Sequence, residues 1–315
     1  MFTQPTKTKF NLKSAALLLL CGLLLHSSCS NRIGKPLSEN GGQLRKVTDE
    51  AGRTVTVAPK IERFISLAPN LTEIAYAVGA GDRLVGDTTY CDYPEAARKV
   101  QKVGDTLQPS IEKILALRPQ LVLISTASQL EAFTKQLNEH NIAVYVTDPH
   151  DLEGVFRSIS NLGKLLNQQE QSEQLVSSLR SRASAIERAV SNTDPVRVFY
   201  QLSEEPLYTA GRDSFVTDLI RRAGGISVTR DVPGAWPRYS EEAAVAARPD
   251  AVILPTGGSM GEANSAVARG LRRSPAVLNG RVYKINGDFL SRPGPRSVDG
   301  LEELARALHP EAFKK

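Results

Sequence analysis

The sequence predicts an α/β protein with two Rossmann-like lobes, each built on a parallel sheet, joined by one long connecting α-helix. Three observations lead to this fold class. Strand-like and helix-like segments alternate through most of the chain. The stretch SIEKILALRPQLVLI at 110–124 returns without a gap as SEEAAVAARPDAVIL at 240–254. Between the two copies, residues 151–190 contain no proline and keep a helical spacing of apolar residues.

The first lobe is predicted over 46–150. It begins with a hairpin at Val47–Val57, whose turn contains Glu50, Ala51 and Gly52. Strands are then expected at 63–67, 84–85, 121–124 and 142–146, and helices at 70–78, 110–117 and 129–139. Strands separated by helices of this length indicate a parallel sheet with helices on its faces.

The connecting helix is predicted over 151–191, with a length of about 55–60 Å at 1.5 Å per residue. Asn167–Gln171 is polar on every face, which allows a bend there. The second lobe is predicted over 192–315 and repeats the order of the first. Its strands are expected at 196–200, 251–254 and 282–285, and its helices at 214–223, 240–247, 265–272 and 298–308.

The N-terminus has the pattern of an export signal. Three lysines and no acid precede an apolar run of 11 residues, Ala15–Leu25, and small residues follow. Such a run is too short to span a bilayer, which needs about 20 residues. We therefore predict a signal peptide at 1–28, acylation of Cys29 as in a bacterial lipoprotein, and a flexible tether over 29–45. Plain secretion after signal cleavage is the alternative, because His26 stands where a lipobox usually has leucine.

Charge and cysteine content exclude several classes of protein. Without residues 1–28 the chain has 36 basic and 34 acidic residues, so nothing indicates nucleic-acid binding. Cys91 is the single thiol left for the mature fold, since Cys21 lies in the signal and Cys29 is the acylation site. No disulfide framework and no CxxC pair is possible. We expect an exported monomer without a metal, cofactor or catalytic residue.

The repeated stretch has a structural and a functional interpretation. Ser110 and Ser240 are expected to cap helices, and an acid in the first turn complements the helix dipole by about 0.3–1 kcal/mol. Two copies in matching places, however, put Glu112 and Glu242 at the same corner of each lobe. A pseudo-twofold pair of carboxylates suits docking onto a symmetric dimer.

The mature chain resembles the substrate-binding proteins of bacterial ABC importers for cobalamin, haem and iron-siderophore complexes, of the helical-backbone (class III) type. The stretches that carry the resemblance include RFISLAPNLTEIAYAVGAGDRLVGDTTYCDYP at 63–94, SFVTDLIRRAGG at 214–225 and RPGPRSVDGLEELARALHPE at 292–311. The resemblance implies two lobes that close slightly on a ligand in the cleft. It also implies that Glu112 and Glu242 pair with arginines of a permease dimer, which works with separate ATPase subunits.

Ligand-binding residues are expected beyond the carboxyl ends of the strands. Tyr90, Tyr208, Trp236 and Phe289 are aromatic residues in loop positions, and such rings suit a large flat ligand. In cobalamin-binding relatives, the positions of Tyr90, Tyr208, Trp236 and Asp288 line the pocket, while Thr106 and Ser125 stand where well-known members carry tryptophan. Arg296, like Arg292, could meet ligand carboxylates or be solvated, and Trp236 could instead cover the core. A corrinoid is the leading ligand, and haem or a ferric siderophore is the alternative.

The sequence allows two further interpretations, an enzyme and a metal-binding protein. Gly257-Gly258-Ser259-Met260-Gly261 contains the G-x-S-x-G pattern of a hydrolase, with Asp288, Asp299 and His309 following in the order of a triad. His309 lies at a helix end, however, which disfavours that arrangement. A metal site is disfavoured because Asp148–Asp151 is the single local cluster of histidine and carboxylates in the mature chain.

Overall fold

The computed structural model describes residues 43–125, 130–257 and 266–314.

The sheet of the first lobe is parallel throughout. It is four-stranded with the order β4-β3-β5-β6, formed by β3 (Phe64–Ser66), β4 (Leu84–Gly86), β5 (Leu121–Ser125) and β6 (Ala143–Thr147). Helices α1 (Pro69–Ala77), α2 (Ile111–Ala116) and α3 (Leu130–Glu139) connect these strands. The predicted hairpin is confirmed as β1 (Arg45–Thr48) paired antiparallel with β2 (Thr54–Val57).

The second sheet repeats this topology. Strands β7 (Val196–Ser203), β9 (Gly225–Ser227), β10 (Ala251–Thr256) and β11 (Val282–Asn286) are parallel. Their order is β9-β7-β10-β11, and the short strand β8 (Tyr208–Thr209) pairs antiparallel with β7. The helices are α6 (Phe215–Arg222), α7 (Glu241–Ala247), α8 (Pro275–Leu278), α9 (Gly287–Ser291) and α10 (Ser297–Leu308). In both lobes the first strand along the chain lies between the second and the third, so the lobes share one topology.

The sequence repeat is also a structural repeat. Helices α2 and α7 occupy the same place in their lobes, each leading into the third strand. Arg118 and Arg248 precede the proline in each copy and adopt left-handed backbone conformations, with φ of 47° and 44°. Arg63 donates to a carbonyl at the end of α2 at 2.7 Å, and Arg197 donates to one at the end of α7 at 2.8 Å. The helix ends are therefore closed in the same way in both lobes.

The segment predicted as one helix over 151–191 is two helices, α4 (Leu152–Leu165) and α5 (Gln169–Val190). The turn between them contains Asn167 with φ of 56°, and it lies next to the polar stretch that allowed a bend. Arg180 of α5 pairs with Glu153 of α4 at 2.5 Å and lies 5.0 Å from the ring of Phe156. The two helices are thus an antiparallel hairpin. The prediction of one continuous helix of 55–60 Å is therefore wrong. The long connector is α5 alone, which is about 33 Å long at 1.5 Å per residue.

The helix hairpin and the faces of both sheets that pack on it form one apolar core. This cluster runs from Phe64 and Leu71 through Phe156 and Leu162 to Leu219 and its neighbours. Two smaller clusters cover the opposite sheet faces, around Ile114 in the first lobe and Ala244 in the second. No helix within the described ranges is both long and apolar enough to cross a membrane.

The helix predicted at 265–272 is not found in the described part of that range, which starts at 266. The chain there forms a single 3-10 turn, Arg269–Leu271. Sequence analysis missed β8, β9, α8 and α9, which are two to five residues long. Elements this short cannot display a period of 2 or 3.6, so no pattern was available to predict them.

A partly buried lysine, Lys102, holds the loop between β4 and α2 together. The Lys102 ammonium donates to Asp87 Oδ1 at 2.7 Å and to the carbonyls of Cys91 and Ala97 at 2.9 and 3.0 Å. Asp87 is fully buried. All three donors of the ammonium group are used, so Lys102 holds Asp87, Cys91 and Ala97 of this loop together.

Cys91 belongs to the same loop, and its thiol is buried. Its side chain is 1% exposed, and Thr72 and Thr88 contact its sulfur, each with Oγ1 at 3.2 Å. Burial raises the pKa of the Cys91 thiol, despite the hydrogen bonds from these threonines. Cys91 therefore acts as a core residue that helps to shape the loop.

Asp87 should make stability depend on pH. Burial raises its pKa to about 6, although Lys102 opposes the shift. Since an unfolded Asp has a pKa near 3.9, the native state holds this proton more tightly, and stability is lost as pH rises from about 4 to 6. We expect this group to lower the free energy of unfolding by the order of 2 kcal/mol across that window. Urea titrations between pH 4 and 8 should show a flatter profile for Asp87→Asn than for the parent.

Asp82 is exposed and provides the matched control. Asp82→Asn should keep the parental pH profile. Superimposable profiles for the parent and Asp87→Asn would show that Asp87 does not titrate in this window.

Candidate functional site

Polar and aromatic side chains that follow the carboxyl ends of strands in the two lobes contact one another, and the region around these contacts is called the cleft. In a parallel sheet, ligands bind beyond the carboxyl ends of the strands. The first lobe contributes α1 and the loop after β4. The second lobe contributes α9 and the segment that leads into α10. The contacts between these four segments define the candidate site.

An ion network crosses the cleft at its centre. Glu73 on α1 is buried, with 2% of its side chain exposed. Its carboxylate accepts from Arg292 Nη1 at 3.3 Å and from Arg296 Nε at 2.8 Å. Arg292 also donates to Asp92 Oδ1 at 2.7 Å and pairs through Nε with Asp288 Oδ1 at 3.2 Å. A buried carboxylate of one lobe is therefore neutralised by arginines of the other.

Arg296 is covered on its faces as well as at its edges. Its guanidinium carbon lies 4.1 Å from the centroid of the Tyr93 ring and 5.2 Å from that of Phe289. Contacts of this kind are attractive and hold the planar group in place. Glu73 and Asp288 outweigh partial burial and raise the pKa of Arg296 above its ordinary value. Arg296 is consequently a fixed charge. The alternative prediction, that Arg296 is a solvated surface residue, is wrong.

Asp92 is the part of the network that reaches solvent, with 38% of its side chain exposed. Partial burial would raise its pKa, but the hydrogen bond and charge of Arg292 outweigh that effect and hold the pKa below its ordinary value. Asp92 is thus ionised at neutral pH. Arg292 Nη2 also donates to the carbonyl of Tyr90 at 3.4 Å, so the network positions the loop that carries Tyr90.

Tyr208 and Trp236 belong to a second group, within the second lobe. They lie on adjacent extended segments, because the Thr209 N–H donates to the Pro237 carbonyl at 3.2 Å. Trp236 is 39% exposed, and its ring centroid lies 6.1 Å from that of the buried Tyr200. The indole therefore covers part of the core with one side and offers the other to solvent.

Thr106 and Ser125 lie apart from the ion network. Thr106 is exposed in a turn where Asp105 Oδ1 accepts from the N–H groups of Leu107 and Gln108 at 2.8 and 2.6 Å. Ser125 is the last residue of β5 and is partly buried. Among the described residues, neither side chain makes a hydrogen bond with the network. Their place in a ligand site stays a prediction.

Glu73 and Tyr93 contact the cleft arginines but were not predicted as site residues from the sequence. Both stand in the stretch that carries the family resemblance, but Glu73 lies on a helix and reads as an ordinary helical acid. One signal was present in the sequence: the apolar residues Leu71 and Ile74 flank Glu73 on the predicted helix at 70–78. A carboxylate on a helix with apolar residues on every side needs a buried partner. The identity of that partner, more than 200 residues away, was not readable from the pattern.

The two predicted docking acids occupy equivalent positions. Glu112 and Glu242 lie in the first turns of α2 and α7, and both are exposed. The capping serines behave as expected: Ser110 Oγ accepts from the Lys113 N–H at 3.3 Å, and Ser240 Oγ from that of Ala243 at 3.0 Å. Within the described part of the chain, neither glutamate has an ion-pair partner.

The residues of the weighed hydrolase triad do not converge. Ser259 lies outside the described residues. Asp299 pairs with Arg182 of α5 at 2.7 Å, whereas Asp288 belongs to the ion network. His309 is buried and lies 3.0 Å from the Gly224 carbonyl. Each of the three thus has a different structural partner.

The cluster at 148–151 contains a pair 3.0 Å apart, the exposed His150 and the partly buried Asp148. Across 43–125, 130–257 and 266–314 there is no group of three histidine, cysteine or carboxylate side chains placed to hold a metal ion. Asp151 of the same cluster caps the start of α4, where its carboxylate accepts from the Gly154 N–H at 2.5 Å.

Comparison with known proteins agrees with this two-lobed cleft. The chain is 32% identical over 316 residues, covering 95% of this chain and 98% of the relative, to the uncharacterized ABC transporter substrate-binding lipoprotein YvrC of Bacillus subtilis (strain 168). It is also similar to the crystal structure of the periplasmic vitamin B12 binding protein BtuF of Vibrio cholerae, with a TM-score of 0.71 and 30% identity over 81% of this chain and 99% of that one.

A second solved structure is similar to the same extent. The periplasmic heme-binding protein RhuT from Roseiflexus sp. RS-1 has a TM-score of 0.72 and 26% identity, over 80% of this chain and 99% of that chain. The family described as periplasmic binding protein matches residues 65–288, which include both sheets and most of the cleft network. The chain belongs to the periplasmic binding protein family.

Proposed function

We propose that this chain is the extracytoplasmic substrate-binding component of an ABC importer and that it captures a corrinoid in the cleft. The observation that carries the proposal is the exposure of aromatic rings from both lobes beside the strand ends. Tyr90, Tyr93 and Trp236 are 52%, 48% and 39% exposed. Aromatic faces left open beside a cleft suit a large flat ligand, which would bury them on binding.

The relatives support the ligand class and also supply the alternative. Several Vibrio relatives of about 30% identity are named vitamin B12-binding proteins, and the solved neighbours include heme-binding proteins. A corrin and a porphyrin both present a broad apolar face. A ferric siderophore, expected from the family resemblance, is the third candidate. We favour the corrinoid because the two arginines of the cleft are already paired with protein carboxylates.

A binding role needs no catalytic residue, cofactor or resident metal, and the proposal assigns none. The ligand itself supplies the metal as cargo. Chemistry is left to the ATPase subunits of the importer, because the sequence contains no nucleotide-binding P-loop. We propose that the chain acts as a monomer and does not bind nucleic acid.

The proposed partner surface is formed by Glu112 and Glu242. The exposure of both acids and the shared topology of the lobes support a pseudo-twofold docking face for a dimeric permease. A groove of about 910 Å³ is lined by Glu242 and three further acids, Glu204, Glu205 and Glu241, which outnumber its two arginines, Arg238 and Arg269. Such a surface is complementary to basic side chains of a partner.

We propose membrane attachment through an acylated Cys29. The lipobox-like sequence before this residue supports it, and the Bacillus subtilis relative is named a lipoprotein. The signal at 1–28, Cys29 and most of the tether at 29–45 lie outside the described residues. A single acyl group gives marginal anchoring, so stable attachment needs the further chains that lipoprotein processing adds.

Removing the exposed indole should weaken corrinoid binding. Trp236→Ala deletes one of the open aromatic faces, and we expect the Kd for cyanocobalamin to rise about tenfold or more, because an aromatic contact of this size contributes over 1 kcal/mol. Absorbance titration or equilibrium dialysis measures it. In the parent protein, quenching of Trp236 fluorescence gives a second readout, since the chain has one tryptophan.

Leu278→Ala is the matched control, because Leu278 is 74% exposed on α8, before β11 and so at the opposite end of the sheet. Its Kd should equal that of the parent. A parent protein that binds neither cyanocobalamin nor haemin nor ferric siderophores would refute the proposed ligand class.

Reversing the charge at both docking acids should stop import without changing capture. In cells that carry Glu112→Lys with Glu242→Lys, we expect uptake of labelled ligand to fall to the level of a strain lacking the chain. The purified variant should keep its parental Kd, since both residues lie outside the ion network. Glu139→Lys, an exposed acid at the end of α3, is the control and should leave uptake unchanged. Normal uptake by the double variant would exclude this docking surface.

A further inference from the structure

The ion network surrounds both cleft arginines with protein carboxylates. Arg292 is 4% exposed and contacts Glu73, Asp92 and Asp288 as well as the Tyr90 carbonyl. Its Nε is ion-paired with Asp288 but forms no hydrogen bond to a described residue, and burial shields the guanidinium from a ligand. A ligand carboxylate could reach it only by displacing a protein carboxylate that is already in place.

Arg296 is engaged in a similar way. Glu73 accepts from it with both oxygens, through Nε at 2.8 Å and Nη2 at 2.5 Å. The rings of Tyr93 and Phe289 lie near its guanidinium carbon, at 4.1 and 5.2 Å. Bidentate pairing between arginine and a carboxylate is strong and geometrically specific. Arg296 is therefore a structural cation of the cleft wall.

The formal charge of the network is negative. Three carboxylates, from Glu73, Asp92 and Asp288, face two guanidinium groups, from Arg292 and Arg296. The member with the greatest exposure is an acid, since Asp92 has 38% of its side chain open whereas the two arginines have 5% and 15%. The outermost charge of the network, beside Tyr90 and Tyr93, is thus a carboxylate, and the exposed Arg98 lies next to it and donates to the Asp92 carbonyl at 3.2 Å.

We propose that this network is a specificity filter: it binds both arginines internally, presents Asp92 outward, and so selects ligands whose periphery carries neutral amides over those with free carboxylates. The inference rests on the proposed function and deepens it. Primary amides donate to Asp92 and gain a hydrogen bond, whereas a carboxylate on the ligand meets a like charge at close range. Corrinoids carry peripheral amides, whereas haem carries two propionates.

The test uses two ligands that differ in one group. Cyanocobalamin and its monocarboxylic acid derivatives, in which one peripheral amide is hydrolysed, are titrated at pH 7.5 against the parent, Asp92→Asn and Asp231→Asn. We expect at least one acid to bind the parent about tenfold more weakly than the amide. The reason is that the ligand carboxylate and Asp92 repel each other and that salt screens this repulsion only in part. Asp92→Asn should bring that ratio close to one. Asp231→Asn, which removes an acid that is 89% exposed and outside the network, should leave the ratio unchanged.

A second variant tests the arginine side of the filter. Glu73→Gln removes the bidentate partner of Arg296 and should shift preference toward the acid forms. If this variant does not fold, Asp92→Asn alone decides, because that residue is partly exposed. Acids that all bind the parent as tightly as the amide, or an unchanged ratio in Asp92→Asn, would overturn the filter.

Failure of the proposed ligand class gives a different result. In that case neither corrinoid binds the parent, and haemin is compared with its dimethyl ester in the same three proteins. Preference for the ester, relieved in Asp92→Asn, would support the filter for a different macrocycle. Preference for free haemin would contradict it.

Discussion

Glu73 imposes the constraint on which the cleft depends. A carboxylate with 2% exposure on a helix buried along most of its length must be neutralised inside the protein. The partners come from the opposite lobe, where Arg292 and Arg296 meet it. Losing one member of such a buried set costs about 3–5 kcal/mol, because the remaining charge stays buried without compensation. The requirement to pair these charges thus fixes how α1 and the segment before α10 face each other.

The two lobes share a scaffold but differ in what they bring to the cleft. Strand order, the capped helices α2 and α7, and the left-handed residues Arg118 and Arg248 repeat closely. The cleft is asymmetric, because the first lobe supplies Tyr90, Tyr93, Glu73 and Asp92 while the second supplies Asp288 and both arginines. The symmetry of the scaffold thus extends to the outward corners, where a dimeric partner would require it, and is absent where a single ligand would lie.

The helix hairpin explains how the lobes keep a common frame. Helix α4 follows the first sheet and α5 returns along it toward the second, so their apolar faces join one core that extends through both lobes. The ion pair between Arg222 of α6 and Glu187 of α5 adds a contact at the end near the second lobe. A core shared in this way resists large rotation of one lobe against the other.

The sequence by itself determined the repeated lobe, its parallel strands, the hairpin at the start and the helix caps, because these depend on local periodicity, capping residues and short connections. It also predicted Tyr90, Trp236, Asp288 and Arg296 as ligand-binding residues, from their loop positions and the family resemblance. Only the tertiary structure decided that residues 152–190 fold back as a hairpin, since an apolar spacing does not say whether a helix turns at a polar stretch. Only the tertiary structure paired Glu73 with Arg292 and Arg296, because a charge buried by packing takes the partner that space provides, however distant in the chain.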